Sequence, residues 1–252
     1  MNLPRKILQS YLSFLSRLAI RRHSMELIIV VGWHGTEIVR EAIYEILNEK
    51  FHVRRNTKNL WWDLSVPLTI LGYKDKKRSI LKWIWLCIRA LFYLLLGRRS
   101  PHKIVLNLNT RDENTVLFWS KFIRPEYLVI VNQKNYTKLI ETLIKNTEKN
   151  MGKIIYDPSM TKVEIRKSMS FTFGKSKGAQ LRITDGKNSV TYKYKNETVK
   201  FSYSILPKFS SILIGSALSL GVLKGMSLVN SGFSALKVNS QSRLISKIIS
   251  NI

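Results

Sequence analysis

Hydrophobic residues along this chain form short uninterrupted runs, several of them followed by a stretch with helical spacing. The first run, Leu27 to Val31, is rich in β-branched residues and predicts a strand buried on both faces. A sharp turn from Gly32 to Gly35 follows, and from Thr36 onward the apolar positions recur every three or four residues. These positions are Ile38, Val39, Ala42, Ile43, Ile46 and Leu47. A strand, a glycine turn and a helix together form the frame of a phosphate-binding loop.

The same alternation continues to about residue 160. Further short strands are predicted at residues 51–53, 103–108, 127–131 and 153–156, and helices at residues 110–123 and 136–146. Alternating strands and helices are typical of a mostly parallel sheet with helices on both faces. The predicted fold class is therefore α/β, with a sheet like that of the P-loop NTPases.

From residue 168 to residue 205 the pattern changes to short alternating runs separated by glycine, aspartate and asparagine. Such runs predict antiparallel strands joined in hairpins, a small region near the C-terminus. A helix rich in small residues is predicted over residues 210–228. It is apolar, but Gly215, Gly221 and Lys224 interrupt it, which favours a packed core helix over a membrane span.

Two amphipathic segments flank a central domain that we place at residues 25–230. Residues 1–24 carry five basic residues and no acidic residue, with leucines at positions 8, 12, 15 and 18 in helical spacing. This basic leader helix could lie on a membrane surface or pack on the domain, and packing is the favoured interpretation. Residues 231–252 are predicted to contain a C-terminal amphipathic helix, beginning at Ser240, with Leu244, Ile245, Ile248 and Ile249 on one side.

The most apolar segment, residues 80–96, is the best candidate for a membrane span. It is shorter by about a turn than the roughly 20 residues that a spanning helix needs, and Lys82 and Arg89 interrupt it. A buried or interfacial helix is therefore the favoured interpretation. Its aromatic residues, with Arg98 and Arg99 at its end, would suit a membrane surface.

The charge of the chain is far from balanced. It carries 42 Lys and Arg against 16 Asp and Glu, a formal net charge of +26 at pH 7. Such an excess attracts anionic lipid or nucleic acid, although a basic proteome or an AT-rich genome would also explain it. No recognised nucleic-acid-binding motif accompanies the charge. The single cysteine, Cys87, excludes a disulfide framework, and the four histidines show no metal-ligand spacing.

Several segments occur in the order found in the central ATP-binding domain of the Mur ligases. The loop GWHGTEIVRE is followed by FHVRRNTKNLWWDLSVPLTILG, in which the KN pair and the VPLTILG ending are the most specific features. Further along come IVLNLN, RPEYLVIVNQ, IIYDPSM, FTFG and LPKFSSILIGSALSLGVLKGM. Residues 25–230 thus resemble the Mur ligase family, most closely the MurF type that adds D-alanyl-D-alanine to the peptidoglycan precursor.

The resemblance implies ATP and magnesium as cofactors, because Mur ligases phosphorylate a carboxylate with ATP before an amine attacks the acyl phosphate. In the family the loop carries a lysine that neutralises the transferring phosphate, and then a hydroxyl residue that holds magnesium. Here these positions hold Thr36 and Glu37, and the second metal carboxylate of the family falls on Asn107. The loop that carries a histidine in the family is missing after Asn132, and the carbamylated lysine falls on Tyr136. Binding of ATP and magnesium is therefore expected to be weak or lost.

What remains is a degenerate nucleotide site, for which we predict the residues Gly32, Gly35, Thr36, Glu37 and Asn132. Backbone N–H groups of the loop could still form a partial nest for an anion. No residue is assigned a catalytic role, and none is assigned as a metal ligand.

These substitutions leave three functional hypotheses. The favoured one is a pseudoenzyme related to peptidoglycan precursor synthesis, a cytoplasmic protein that binds a genuine Mur ligase or another cell-wall protein. It could also associate with the inner face of the membrane, where basic residues meet anionic lipid. The alternatives are an ATP-dependent MurF-like ligase completed by a partner chain, and a basic nucleic-acid-binding module.

Overall fold

The computed structural model describes residues 3–56, 62–73, 80–96, 103–109, 113–120, 123–131, 138–159, 165–206 and 208–249. The strands in these ranges are β1 (Glu26–Gly32), β2 (Val53–Arg55), β3 (Lys103–Asn109), β4 (Tyr127–Val131), β5 (Lys153–Tyr156), β6 (Ser170–Gly174), β7 (Leu181–Asp185), β8 (Ser189–Tyr194) and β9 (Glu197–Ser202). The helices are α1 (Leu3–Arg22), α2 (Thr36–Asn48), α3 (Trp62–Leu71), α4 (Ile80–Leu96), α5 (Glu113–Ser120), α6 (Lys138–Lys149), α7 (Ser211–Leu223) and α8 (Leu228–Ile249).

The strands form one sheet in the order β2-β3-β1-β4-β5-β6-β7-β8-β9. All pairs from β2 to β7 are parallel, and the pairs β7-β8 and β8-β9 are antiparallel. The predicted α/β class, mostly parallel with antiparallel strands near the C-terminus, is confirmed. The order reverses at β1, which lies between β3 and β4. In open sheets of this kind, ligands bind beyond the carboxyl ends of the strands at such a reversal.

The prediction that the strands of residues 168–205 are antiparallel throughout is wrong for the first of them. β6 pairs in parallel with β5, and its last residues, Phe173 and Gly174, pair in parallel with Leu181 and Arg182 of β7. Alternation of apolar and polar residues shows which face of a strand is buried, but the path of the connection sets its direction. β2 also begins at Val53, where the sequence pattern predicted residues 51–53.

Alternate residues of β1 point into two different hydrophobic cores. Ile28 and Val30 contribute to a core shared with α2, α7 and α8. We call these three helices the first layer. Leu27, Ile29 and Val31 contribute to a core on the other side of the sheet. It is shared with α1, α3, α4, α5 and α6, and we call these five helices the second layer. The continuous apolar run in the sequence therefore corresponds to a central strand covered on both faces.

The small-residue helix α7 is buried in the first layer, as predicted for a packed core helix. It lies against β6 and β7, and a side chain larger than that of Gly215 would overlap the Ile183 side chain. α8 follows at Leu228, well before the predicted start at Ser240. Its first half is rich in serine and asparagine, which have modest helix propensity, but Ala235 and Val238 are buried in the first-layer core. Tertiary packing thus sets the start of this helix.

Candidate functional site

The loop after β1 lies at the reversal of the strand order. Gly32 ends the strand beside Val131 of β4, and a Cβ at this glycine would overlap the carbonyl oxygen of Val131. Gly35 has φ 79° and ψ 0°, a left-handed conformation that favours glycine, and it precedes the first residue of α2. The amide of Val39 donates to the carbonyl of Gly35 over 3.1 Å, which closes the first helical turn. The two glycines therefore build the strand, turn and helix that the pattern predicted.

Four of the five predicted site residues lie together in this loop and the first turn of α2. The Thr36 side chain is buried, with its methyl carbon 3.2 Å from the position that a Cβ of Gly32 would take. Glu37 is exposed in the first turn, where a carboxylate interacts favourably with the positive end of the helix dipole. The fifth residue, Asn132, lies outside the described residues. Nucleotide binding by these residues stays a prediction.

An apolar side chain from α7 covers one side of the loop. Leu213 is buried, and its Cδ1 atom lies 2.5 Å from the position of a Cβ on Gly35. Ser210 precedes the same helix and is also buried, while the side chain of Phe209 lies outside the described residues. By the resemblance, the histidine and asparagine of this helix in the family fall on Phe209 and Ser210. The loop thus packs against a leucine on this side.

Two aromatic rings occupy the tip of the loop. Trp33 and His34 are both exposed, and their ring centroids lie 5.9 Å apart in an edge-to-face arrangement. Their backbone belongs to the segment that would form an anion nest. These two bulky side chains lie between Gly32 and Gly35, the glycines that define the predicted loop.

The side chain of Asn56, which is not among the predicted site residues, bonds to the backbone of a neighbouring strand. Asn56 is buried just after β2, and its Oδ1 accepts from the amide of Asn107 over 2.9 Å. Its Nδ2 donates to the carbonyl of Asn107 over 3.1 Å, so one side chain continues the pairing of β3 after β2 has ended. The Oδ1 of Asn107 itself has no hydrogen-bond partner among the described residues. Asparagine spacing alone did not reveal this arrangement, since the pairing crosses fifty residues of sequence.

A buried carboxylate lies at the carboxyl ends of the parallel strands, as the loop does. Asp157 follows β5, and its Oδ1 accepts from the amide of Ser159 over 2.9 Å and from the hydroxyl of that serine over 2.7 Å. Gly174 ends β6 with φ 137°, and a Cβ there would lie 2.8 Å from the Asp157 carboxylate. Asp157 belongs to the segment IIYDPSM, one of those that carry the family resemblance, and it is not among the predicted site residues. An acidic residue directly after a buried strand was the signal available.

Neither a protein-family model nor a curated protein sequence matches the chain. Solved structures do match it. One structure of MurF from Acinetobacter baumannii superposes with a TM-score of 0.60 at 14% identity, over 88% of this chain and 49% of that one. MurF ligase from Thermotoga maritima, solved in complex with ADP, gives 0.59 at 18% identity, over 87% and 50%. A pseudomurein peptide ligase type C from Methanothermus fervidus gives 0.54 at 10% identity, over 84% and 49%.

The chain has a Mur ligase fold. This confirms, at the level of the fold, the resemblance drawn from the sequence. The chain spans about half the length of the solved structures it matches. Because the identities are low, the similarity establishes architecture, and the chemistry has to be judged from the residues at the loop.

The loop residues of this Mur ligase fold do not suit ATP with magnesium. Thr36 is neutral and buried where the family carries its lysine, so it offers no charge to a phosphate. Glu37 adds a negative charge at the end of α2, and like charges 4 Å apart repel by about 1 kcal/mol even in water. Among the described residues, no group of three or more His, Cys, Asp or Glu side chains could hold a metal ion.

An ionic cluster lies at the amino ends of the central strands, which we call the amino edge of the sheet. Glu26 receives the Nζ of Lys103 at 2.6 Å and the Nζ of Lys224 at 2.5 Å. Burial lowers the pKa of Lys103, and the hydrogen bond to Glu26 opposes that shift. Nearby, the amide of Leu27 donates to Glu126 over 2.5 Å, and burial raises the pKa of that carboxyl. This cluster joins β1, β3 and α7 at the end of the sheet opposite the loop.

Proposed function

We propose that this chain is a non-catalytic binding protein built on a Mur ligase fold, with weak or no ATP binding. The observation that carries the proposal is the pair Thr36 and Glu37 at the start of α2. One is buried and neutral, and the other places its own carboxylate at the helix end where a phosphate would be stabilised.

Active sites of this kind stabilise a transition state with preorganised charged groups. Removing one preorganised electrostatic group from an active site typically costs about 10²–10³ in rate. Here the phosphate lysine and the metal carboxylate of the family are both replaced, by Thr36 and Asn107. The groups that hold phosphate and metal act together on the negative charge of the transition state. The loss of one group is therefore not compensated when the other is also replaced.

Calorimetry with magnesium-ATP tests the proposal on the full chain. We expect no heat at millimolar ATP for the natural sequence. The double variant Thr36→Lys with Glu37→Ser restores the charge pattern of the family loop and should gain binding. Thr142→Lys with Glu141→Ser makes the same change of charge in the first half of α6 and serves as the control. Magnesium-dependent binding by the natural sequence at micromolar ATP would contradict the proposal.

A second candidate is an ATP-dependent MurF-like ligase completed by another chain. It is favoured by the fold, which superposes on MurF structures over most of this chain, and by the order of strand, glycine turn and helix at the loop. Magnesium-ATP binding that Gly35→Asp abolishes would support this candidate.

The partner we propose for the binding protein is a genuine Mur ligase or another cell-wall protein in the cytoplasm. Co-purification of the tagged chain with Mur ligases, repeated with the variant Trp33→Ala, would test whether the exposed loop tip contributes. We expect a Mur ligase to co-purify with the natural chain and to be lost with the Trp33→Ala variant. If no Mur ligase co-purifies with the natural chain, this partner is wrong.

A further inference from the structure

Helix α4 has three distinct sides. Leu86, Ala90 and Leu94 recur every four residues and are buried against the second-layer core. On the outward side, large apolar residues are exposed at three- and four-residue spacing. They are Leu81, Ile84, Trp85, Ile88, Leu91 and Phe92. Two exposed basic residues, Lys82 and Arg89, lie seven positions apart and so flank the outward stripe on one side.

Helix α1 repeats this arrangement. Its buried side is formed by Leu12, Leu15 and Ala19. Its outward side exposes Ile7, Tyr11, Phe14 and Leu18, which follow one another at intervals of four, three and four residues. Arg17, Arg21 and Arg22 are exposed toward the end of the helix.

The two outward stripes belong to one surface. α1 and α4 pack against each other on the same side of the sheet, so both stripes point away from the second-layer core. Neither helix contains an acidic residue. We define the outward face as the exposed apolar and basic side chains of α1 and α4. An apolar area of this kind, bordered by charged residues, marks an interaction site.

We infer that the outward face docks on an anionic lipid bilayer. An interfacial helix buries an apolar stripe at the boundary of headgroups and acyl chains, while basic residues beside it meet anionic headgroups. Tyr11 and Trp85 are residues that favour this depth. None of the described helices is long and apolar enough to cross a membrane. The inference stands apart from the proposed function, since it uses neither the loop nor ATP.

Vesicle flotation with the full chain tests the inference. We expect binding to vesicles of phosphatidylcholine mixed with phosphatidylglycerol. Binding to phosphatidylcholine alone should be much weaker, and added salt should weaken the mixed-vesicle binding. Circular dichroism of every variant confirms that the chain is folded before its binding is compared.

Two pairs of variants locate the contact. Lys82→Gln with Arg89→Gln should lower the partition coefficient roughly 25-fold, at about fivefold per basic residue near anionic lipid. Lys193→Gln with Lys200→Gln removes the same charge from exposed positions in the hairpin of β8 and β9, and should change little.

Trp85→Ser tests the apolar part of the contact. It should lower binding at least about tenfold, because a buried large side chain contributes that much. Phe233→Ser in α8 removes a ring of similar exposure, 61% against 65%, from the first layer, and should leave binding intact.

Three results would overturn the inference. Equal losses from the hairpin lysines and from Lys82 and Arg89 would show that net charge alone attracts lipid. If the natural chain is a dimer that does not bind vesicles, and Trp85→Ser makes it monomeric, the outward face binds a second copy of the chain. Binding to duplex DNA that depends on the same residues, with no vesicle binding, would assign it to nucleic acid.

Discussion

The two helical layers of this protein cover the same sheet in different ways. Among the described side chains of the first layer, the exposed large hydrophobic residues are Val229 and Phe233 of α8. In the second layer, ten such residues lie on α1 and α4 alone. Most described apolar side chains of the first layer therefore lie inside the molecule, whereas α1 and α4 present ten large ones to the surroundings.

Small residues explain the closure of the first layer. Gly221 of α7 faces Ser231 of α8, and a Cβ at this glycine would lie 2.5 Å from the serine hydroxyl oxygen. Ser216 and Ser219 are buried in the same helix and donate to carbonyls of their own helix, so their polar groups are satisfied. Helices with such residues approach closely and leave little apolar surface uncovered.

In the second layer, α1 and α4 bury one stripe each and keep a second apolar stripe outside. The layer that begins at the loop is thus the one whose described apolar side chains mostly lie inside the molecule. Substitutions in the two layers should therefore differ in their effects on folding.

Truncating one aromatic side chain in each layer should give the largest contrast. Phe173→Ala removes a fully buried ring from the first-layer core and should cost about 3–5 kcal/mol of unfolding free energy. Trp85→Ala removes an exposed ring and should change that free energy by less than about 0.5 kcal/mol. Urea unfolding measures both. A large cost for Trp85→Ala would mean that its ring is packed, and the contrast between the layers would fail.

Gly35→Ala tests the point where the first layer meets the loop. A left-handed conformation is unfavourable for alanine, and its Cβ would press on Leu213, so we expect a cost of about 1–3 kcal/mol. Adding Leu213→Ala should relieve only the steric part, which thermal and urea unfolding in a double-mutant cycle can separate. Gly178→Ala is the control, because a Cβ there meets no atom within 4 Å. Equal costs at both glycines would refute the packing of Leu213 on the loop.

Tyr192→Phe should produce a smaller change. The Tyr192 hydroxyl is buried and donates to the carbonyl of Ser211 over 2.9 Å, which ties β8 to the start of α7. Removing it leaves a carbonyl without this partner, at a cost of about 1 kcal/mol. Tyr11→Phe on the outward face removes a hydroxyl from an exposed residue and should be close to neutral. Chemical unfolding of both variants measures the difference, and a neutral Tyr192→Phe would show that the bond contributes nothing.

Glu126 at the amino edge should give the smallest effect, seen as a pH dependence. Burial raises the pKa of its carboxyl above the ordinary value of 4.5, so proton binding favours the folded state. This contribution is fully present below pH 4.5 and is lost as the pH rises through the raised pKa. Glu126→Gln keeps an acceptor for the Leu27 amide and should remove that part of the loss. Unfolding between pH 4 and pH 7 checks it, with Glu141→Gln as a control at a less buried glutamate; parallel curves for the natural chain and Glu126→Gln would contradict the prediction.

The loop shows how far sequence reasoning reached. Period and glycine spacing predicted the order of strand, turn and helix from Leu27 to Leu47, and the structure confirms it. The same reasoning could not find that Leu213 covers Gly35, because 178 residues of sequence separate them. It also could not find that Asn56 continues the pairing of β3. Such contacts depend on how elements pack, which local patterns do not specify.

The sequence alone specifies the class of the fold, since runs of β-branched residues and helical spacing reflect the geometry of strands and helices. It also determined the substitutions Thr36 and Glu37, on which the proposed function rests. Tertiary packing, in contrast, set the direction of β6 and the early start of α8. It also decided which apolar residues of α1 and α4 stay outside. Burial depends on which elements pack against a residue, and the same apolar spacing therefore serves a core in one layer and a surface in the other.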